Sequence, residues 1–389
     1  MKIVICKQNL YGGTDKLLER LENWLKQNNY AAEFPDSSFN TKEKRFDLAI
    51  VPSSQMGDLW KLRKNGIGVD RILVWILGMG AFRESYFNET QNTGLKKLPI
   101  NLLRREADNT LIWLYKHNSI IFTDEVGAYN TFKNCIRDYK KNLDANLIPI
   151  AIEIDSQQKQ LQLHENETIK IAWVGRVCKD FKFIPLQYLL KDIDKWILCS
   201  NKKIELTIIG NGDAIEEIKE ICKKVKFPVR FIAEIEYKKL GTYICNNIDV
   251  LVAMGTSALD GAKVGCPTMV VTPVRECDSK EVYYRWIYES KGYSLGEFPG
   301  IDIETEQVRK TLNVMMNEYF EKNDHGRKSY EYAQNFEINN VFQKLMFRKQ
   351  PLLIDKHMWT HIKKFHYLKT CKEMTKKIIE SRNCHDKTT

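Results

Sequence analysis

The chain has 389 residues, of which 43% are hydrophobic, and its 60 Lys and Arg against 50 Asp and Glu give it a net charge of +10. At roughly 100–200 residues per domain this length predicts two domains, and the hydrophobic content excludes a mainly disordered chain. The longest nearly uncharged apolar run, residues 72–82, is far shorter than the roughly 20 residues that span a bilayer.

The ten cysteines are scattered and include no Cys-x-x-Cys pair, which argues against a zinc site or a redox motif. The N-terminal residues MKIVICKQ are interrupted by Lys7 and lack a small-residue cleavage site, so they predict a first β-strand and not a secretory signal. These features favour a reduced, cytoplasmic setting. No metal ion is expected.

The first half of the chain begins with a strand, a glycine loop and a helix. An apolar run at residues 2–6 is followed by Gly12 and Gly13 and then by a helical apolar face over residues 17–25. Further short apolar runs predict strands at residues 47–51, 72–77, 119–122 and 147–150. This alternation is typical of a parallel sheet with crossover helices, so residues 1–165 are predicted to form one α/β domain.

The second half repeats this plan after a polar stretch at residues 155–168. Apolar runs predict strands at residues 169–174, 204–209, 249–253 and 268–272, and Asp213 is the predicted N-cap of a helix. Residues 166–327 therefore form a second α/β domain, and a helix within residues 328–347 is predicted to return to the first. The expected fold is two Rossmann-like domains that face each other across a cleft.

The excess positive charge lies mainly in the tail, residues 348–389, which has eleven Lys or Arg against four Asp or Glu. The preceding residues contain 49 basic and 46 acidic side chains, and a body so close to neutral argues against nucleic-acid binding. Apolar tail residues recur at helical spacing: Met358, Ile362, Phe365, Leu368, Cys371, Met374 and Ile378. Such a basic amphipathic helix either binds an anionic membrane surface or packs on the body with its lysines in solvent.

Two features that follow predicted strands of the second domain suit a phosphate ligand. Gly175 and Arg176 follow residues 169–174, and Lys179 and Lys182 come shortly after. Arginine offers two parallel hydrogen bonds and lysine a compact charge, which together suit a diphosphate. The alternative is that Arg176 is only structural. Likewise Gly210 opens a Gly-Asn-Gly turn that is either part of the donor site or simply a tight turn before a helix.

The third feature is a small-residue turn at residues 254–257 that opens a short helix. Free amide groups of Gly255, Thr256 and Ser257 would present positive potential to a phosphate. Asp260 lies one turn further on and could accept hydrogen bonds from ribose hydroxyls. Its alternative role is a favourable interaction with the helix dipole.

Taken in order, these segments resemble the C-terminal domain of GT-B glycosyltransferases, most closely family 4 of the retaining enzymes. The resemblance is carried by IAWVGRVCKDFKF, ELTIIGNGD and NNIDVLVAMGTSALDGAKVGCPTMVV. Residues 74–88 and 285–297 are similar to segments of family members that build bacterial surface polysaccharides. The resemblance covers residues 1–347 and excludes the tail.

The resemblance implies that Arg176 and Lys182 are the catalytic cations that hold the diphosphate. It implies that Asp260 binds ribose, in the position of the second Glu of the family's Glu-x7-Glu motif. The loop before Asp260 is shortened, so no residue here corresponds to the first Glu. The other implied donor-binding residues are Gly12, Gly13, Gly175, Gly210, Gly255, Thr256 and Ser257. On the acceptor side, Arg83 and Glu84 follow a predicted strand.

The expected activity is transfer of a hexose or N-acetylhexosamine from a UDP-linked donor to a glycan or lipid-linked acceptor in cell-surface polysaccharide synthesis. The resemblance implies that the sugar keeps its anomeric configuration and that no metal or other cofactor is needed. Inversion stays open, because the short Gly-Thr-Ser turn is also similar to inverting GT-B enzymes. A GT-B epimerase and a non-catalytic nucleotide-sugar-binding partner subunit also stay open. The expected location is cytoplasmic, with the tail bringing the enzyme to the inner face of the plasma membrane.

Overall fold

The computed structural model describes residues 1–7, 13–78, 82, 97–133, 135–136, 138, 140, 143–154, 168–200, 202–275, 282–298 and 308–385. For residues 13, 97–103 and 371–385 only the helical backbone is described. The chain divides into two compact units. Unit 1 is Met1–Pro149 with Phe342–Thr389, and unit 2 is Ile150–Val341.

The described strands alternate with helices along most of the chain. The strands are β1 Lys2–Ile5, β2 Ala31–Glu33, β3 Arg45–Pro52, β4 Gly68–Ile76, β5 Ile120–Phe122, β6 Thr168–Val174, β7 Lys203–Ile209, β8 Val229–Ile232, β9 Val250–Ala253, β10 Thr268–Val271 and β11 Tyr284–Trp286. The helices are α1 Gly13–Gln27, α2 Asp58–Lys64, α3 Lys97–Lys116, α4 Glu125–Phe132, α5 Leu143–Asn146, α6 Phe183–Ser200, α7 Ile215–Cys222, α8 Tyr237–Asn247, α9 Thr256–Ala262, α10 Leu312–Glu321, α11 His325–Ala333, α12 Ile338–Phe347 and α13 Lys356–His385.

Unit 1 contains a five-stranded parallel sheet in the order β2-β1-β3-β4-β5. Its central strands are almost continuously apolar because helices cover both faces of such a sheet. The predicted strand at residues 147–150 is wrong: Leu147 makes a single parallel bridge to Phe122. Pro149 has no N–H group with which to continue the ladder.

Unit 2 contains a six-stranded sheet in the order β11-β10-β9-β6-β7-β8, parallel except for the antiparallel edge strand β11. Alternate residues of β6 pack in two different hydrophobic clusters of unit 2. Trp173 packs in a cluster with residues of α6 and α10, whereas Ala172 and Val174 pack in a cluster with residues of α8 and α9. The sheet therefore has helices on both faces, as expected for a Rossmann-like domain.

The unit boundaries lie at Ile150 and Phe342, whereas the sequence placed them near residues 166 and 328. Backbone hydrogen bonds explain why unit 2 begins at Ile150 and not near residue 166. Ile152 N–H donates to Phe336 O at 2.8 Å, and Ile338 N–H donates to Ile152 O at 3.0 Å. These bonds attach the segment before the polar stretch to unit 2. The chain enters unit 1 again within α12.

The first half of the tail helix α13 packs on unit 1. Met358, Ile362 and Phe365 are buried, and Lys369 Nζ lies 3.0 Å from Asp58 Oδ2. A Cβ on Gly57 would approach His366 Cα to 2.8 Å, so the helix backbones touch closely there.

The buried apolar residues Met358, Ile362 and Phe365 of the tail face protein and not lipid. Membrane contact stays a prediction only for the later part of the tail. Within the described ranges, no helix is both long and apolar enough to cross a membrane.

Candidate functional site

The predicted phosphate-binding segments meet where the strand order of unit 2 reverses. Strands β6 and β9 are adjacent, with β7 and β8 on one side and β10 and β11 on the other. Gly175 follows β6, and Gly255 and Ser257 follow β9. Ligands of open α/β sheets bind in the crevice outside the carboxyl ends of the strands at such a reversal.

Three polar side-chain atoms lie close to Gly175. Its φ of +153° is in a region that L side chains rarely adopt. A Cβ placed on it would lie 3.2 Å from Lys182 Nζ, 3.8 Å from Trp173 Nε1 and 4.0 Å from Ser257 Oγ. An ammonium, an indole N–H and a hydroxyl therefore surround the bare face of this glycine. Lys182 and Ser257 are partly exposed and can donate hydrogen bonds to an anion, whereas Trp173 is fully buried.

Lys182 is a half-buried cation that forms no ion pair with a described residue, although the Asp180 carboxylate is close enough to act on its pKa. Neither Lys182 nor Arg176 makes a hydrogen bond or an ion pair with any residue that the structure describes. Burial lowers the pKa of Lys182 and the nearby charge of Arg176 lowers it further, whereas Cys178 and Asp180 act in the opposite direction. Arg176 itself is exposed. Two neighbouring cations, neither of them paired with a described carboxylate, favour an anionic ligand.

The residues between these cations are already paired. Lys179 Nζ forms an ion pair with Glu217, so it is poorly placed to substitute for Lys182. Cys178 Sγ donates to Asp180 Oδ1 at 2.7 Å. Burial raises the pKa of Cys178 to about 11, with a further contribution from Asp180, so this thiol is neutral and not a nucleophile.

The Gly-Asn-Gly turn supports the site because its glycines leave room for the backbone of the loop that follows β6. A Cβ on Gly210 would lie 2.1 Å from Gly175 O, and one on Gly212 would lie 2.1 Å from Val177 O. Gly210 thus packs against the back of the Gly175 turn. The predicted N-cap Asp213 is wrong, because α7 is capped at Ala214 without a side-chain bond. Asp213 Oδ1 instead accepts from Lys179 N–H at 3.1 Å.

The turn after β9 differs in one respect from the prediction. Gly255, with φ +63°, precedes α9, but its amide is not free: it donates to Leu295 O at 2.7 Å. Thr256 and Ser257 form the first residues of α9. Asp260 is half-buried on the same helix, and its Oδ1 lies 3.7 Å from Lys263 Nζ.

The segment that holds the Gly255 turn is itself fixed by a buried ion pair. Arg285 donates to both carboxylate oxygens of Glu297, at 2.5 and 2.8 Å, and both side chains are almost fully buried. Ser290 accepts from Arg285 Nε, and Ser294 Oγ donates to Glu297. Residues 285–297, singled out above by resemblance, are therefore a closed loop that carries the Leu295 carbonyl.

Trp173 is the residue that sequence reasoning missed. It was assigned only to a core strand, yet its indole nitrogen lies close to Gly175. A tryptophan two residues before Gly175, at the apolar end of the strand TIKIAWV, was the available signal. Of the other predicted residues, Gly13 begins α1, and Gly12, Arg83 and Glu84 lie outside the described residues. Within the described ranges, no three or more His, Cys, Asp or Glu side chains are grouped to hold a metal ion.

Comparison with solved structures finds a similar fold in several glycosyltransferases. The lipopolysaccharide outer core galactosyltransferase WaaB is 12% identical, with a TM-score of 0.50 over 89% of this chain and 98% of that chain. A trehalose-6-phosphate synthase is 11% identical, with a TM-score of 0.49 and the same coverage. TarM of S. aureus, solved with UDP, is 12% identical with a TM-score of 0.45, and the match spans 77% of this chain and 54% of TarM.

No protein-family model matches the chain, and a search of curated protein sequences gave no match. The likeness to WaaB is one of fold, since so few residues are identical. The two α/β units with their parallel sheets have the GT-B architecture of two Rossmann-like domains.

Proposed function

We propose that the protein is a glycosyltransferase that takes its sugar from a nucleotide-diphosphate donor bound in unit 2. The observation that carries this proposal is Lys182: a half-buried ammonium with a lowered pKa that forms no ion pair with a described residue, at the strand-order reversal. A buried unpaired cation costs stability, so its presence is best explained by an anionic ligand. The GT-B fold makes a nucleotide-diphosphate sugar the natural form of that anion.

The chemistry follows from charge development. As the glycosidic bond to the donor phosphate breaks, the departing nucleoside diphosphate gains negative charge. Arg176 and Lys182 would stabilise that charge with groups already in place, which lowers the barrier. In the retaining reaction the leaving phosphate takes the acceptor proton, so no protein nucleophile is required. Asp260 would bind the ribose.

The finer assignments rest on the sequence resemblance and on fold likeness. The family resemblance favours UDP as the nucleotide and a hexose or N-acetylhexosamine as the sugar. WaaB is named for the lipopolysaccharide outer core, which favours a cell-surface glycan or a lipid-linked precursor as acceptor. We assign the protein to the cytoplasm, without a metal or other cofactor.

Replacing Arg176 with alanine tests this assignment directly. We expect affinity for UDP to fall about tenfold and sugar transfer to fall further, because a charge-assisted hydrogen bond contributes about 1.5–3 kcal/mol. Calorimetric titration with nucleoside diphosphates and an assay of donors against an acceptor panel measure both quantities. Arg230→Ala, an exposed arginine on edge strand β8 of the same unit, is the matched control. Failure of the wild-type protein to bind any nucleoside diphosphate would rule out the proposal.

The same assays separate the other activities of this fold. An epimerase consumes donor when no acceptor is present, whereas a transferase requires one. A non-catalytic partner subunit binds donor but gives no product with any acceptor.

Membrane docking by the later part of the tail is a separate proposal. Residues 371–389 contain five Lys or Arg and three Asp or Glu, a net +2, and each basic side chain near an anionic surface contributes about 1 kcal/mol. Deleting only these residues should reduce co-sedimentation with phosphatidylglycerol vesicles. It should leave the melting temperature unchanged, because the buried residues Met358, Ile362 and Phe365 remain. Phosphatidylcholine vesicles are the control, and equal partitioning of the full and shortened chains would refute a membrane role.

A further inference from the structure

The tail helix α13 is held against α3 by a chain of hydrogen bonds that runs through two histidines. His361 is buried, and its Nδ1 lies 3.0 Å from Thr110 Oγ1 and 3.4 Å from Glu106 Oε2, both on α3. On the other side of the ring, His361 Nε2 lies 3.0 Å from Nε2 of His357, which is exposed and one helical turn earlier. Both nitrogens of a buried imidazole therefore contact a hydrogen-bonding group.

These hydrogen bonds define where the proton of His361 lies. Thr110 Oγ1 donates its only hydrogen to Glu106 O at 2.9 Å, and an ionised carboxylate is only an acceptor. Nδ1 of His361 must therefore carry the proton and donate to Thr110. Nε2 is left as an acceptor for the N–H of His357. The docked helix thus holds His361 as a neutral imidazole with its proton on Nδ1.

The two rings can share one extra proton but cannot hold two. A proton added to the exposed His357 leaves the hydrogen bond between the rings in place. A second proton, on Nε2 of His361, would set two N–H groups against each other at 3.0 Å. The buried ring cannot turn to water without leaving its contact with α3. Uptake of the second proton is therefore coupled to undocking of the helix.

Four other ionisable groups act on His361. Burial is the largest cause that lowers the pKa of His361, and His357 and Lys364 lower it further, whereas Glu106 and Asp355 act in the opposite direction. Lys364 Nζ lies 2.9 Å from Glu106 Oε2, and this hydrogen bond lowers the pKa of Glu106. The carboxylate is therefore ionised but already paired, and it does not offset the effect of burial on His361.

The charged groups of α2 act on a second histidine of the same helix. His366 lies at the contact between α13 and α2. Burial lowers its pKa, and Lys64, Lys61 and Lys369 lower it further against the opposite effect of Asp58. At both helices on which α13 packs, the charged form of a histidine is thus disfavoured while the tail is docked.

We propose that these histidines make α13 a proton-sensitive latch, which is docked on unit 1 at neutral pH and released as the pH falls below about 6.5. The released helix binds protons at the ordinary histidine value of 6.5, whereas the docked helix binds them only at lower pH. The stability of docking is therefore fully present above that value and is lost as the pH falls towards the lowered pKa. Release exposes Met358, Ile362 and Phe365, which are buried in the docked helix.

Hydrogen exchange of the tail amides, read by mass spectrometry and corrected for the intrinsic effect of pH, measures the fraction of released helix. Between about pH 7.5 and about pH 5.5 we expect this fraction to rise about tenfold over residues 358–369, because the released state holds one more proton. A contribution from His366 would increase the rise. Amides of α6 in unit 2 are the internal reference and should keep their protection.

The informative variant is His361→Asn. Asparagine can still donate to Thr110 but cannot take up a proton, so most of the rise should be lost. Adding His366→Asn should abolish it. The matched control is His117→Asn, a histidine of unit 1 that stacks on Trp113, and this variant should keep the full rise. No rise in the wild-type protein, or a rise of equal size in His361→Asn, would contradict the latch.

A second measurement tests the position of the proton and does not depend on the stability of the variants. In wild-type protein labelled with 15N-histidine, the imidazole signal that disappears in His361→Asn should show a neutral ring with its proton on Nδ1 at about pH 7.5. A proton on Nε2 at that pH would overturn the inference. So would two charged rings, His357 and His361, in a tail whose amides stay protected. Neither experiment uses a nucleotide, so the outcome is independent of the proposed function.

Discussion

Replacing Lys182 with methionine should abolish sugar transfer and at the same time make the free protein more stable. Transfer is expected to fall about 100-fold or more, the usual effect of removing a preorganised charge from a transition state. The melting temperature should rise, because methionine fills similar space without burying an unpaired charge. A gain of about 1 kcal/mol would raise it by about 2–4 °C. Opposite changes in activity and stability are typical of a binding cation and not of a structural one.

The pH dependence of the free energy of unfolding gives a second test of the buried charge on Lys182. Because the pKa of Lys182 is lowered from its ordinary value of 10.5, the unfolded chain holds this proton more tightly than the folded protein does. The free energy of unfolding therefore rises as the pH increases from the lowered pKa towards 10.5. At pH values below the lowered pKa, the cost of the buried charge is fully present. Lys182→Met should remove this alkaline rise from the profile.

Lys179→Met is the matched control for this experiment. Lys179 lies three residues away, is exposed and forms an ion pair with Glu217. Exposed ion pairs contribute little, so both transfer and melting temperature should stay close to wild type. A Lys182→Met protein that keeps its transfer activity, or that melts at a lower temperature than wild type, would contradict the assignment of Lys182.

Glu297→Ala should strongly destabilise unit 2. It leaves the buried guanidinium of Arg285 without its carboxylate, and breaking a buried pair in this way costs about 3–5 kcal/mol. The melting temperature should fall by about 10 °C or more. Binding of UDP should also weaken at temperatures where the protein is still folded. The reason is that the Leu295 carbonyl, which accepts from the Gly255 amide, lies in the loop that this pair closes.

Two controls separate the buried pair from general effects of losing a carboxylate. Glu216→Ala removes an exposed glutamate that pairs with Lys219 in the same unit, and it should leave the melting temperature nearly unchanged. The double variant Arg285→Met with Glu297→Leu removes both charges and should regain most of the lost stability. A double variant as unstable as Glu297→Ala would show that uncompensated charge is not the cause.

The central strands were predictable because a strand covered on both faces must be apolar almost throughout. The predicted strands at residues 169–174 and 204–209 correspond to β6 and β7, which lie inside the sheet of unit 2. The strands that were missed, β2, β8 and β11, all lie at sheet edges and are only three or four residues long. Such short edge strands have little apolar pattern of their own.

The candidate site was predictable only as separate segments. Gly175, Arg176 and Lys182 are close in sequence, and their residue types already suggest an anion. The amide of Gly255 was expected to face a phosphate, but it bonds to Leu295, 40 positions further along the chain. No local pattern could reveal that bond, because it depends on how the loop closed by Arg285 and Glu297 folds back.

The sequence by itself determined the α/β class, the central strands and the basic tail, because apolar periodicity and charge are local properties. The tertiary structure decided which side chains share a space. It paired Lys179 with Glu217, left Lys182 without an ion pair among the described residues, and brought Lys182 close to Gly175. It also packed the start of the tail helix on unit 1. The physical reason is that pairing and desolvation depend on distances between groups remote in sequence, and only the folded chain sets those distances.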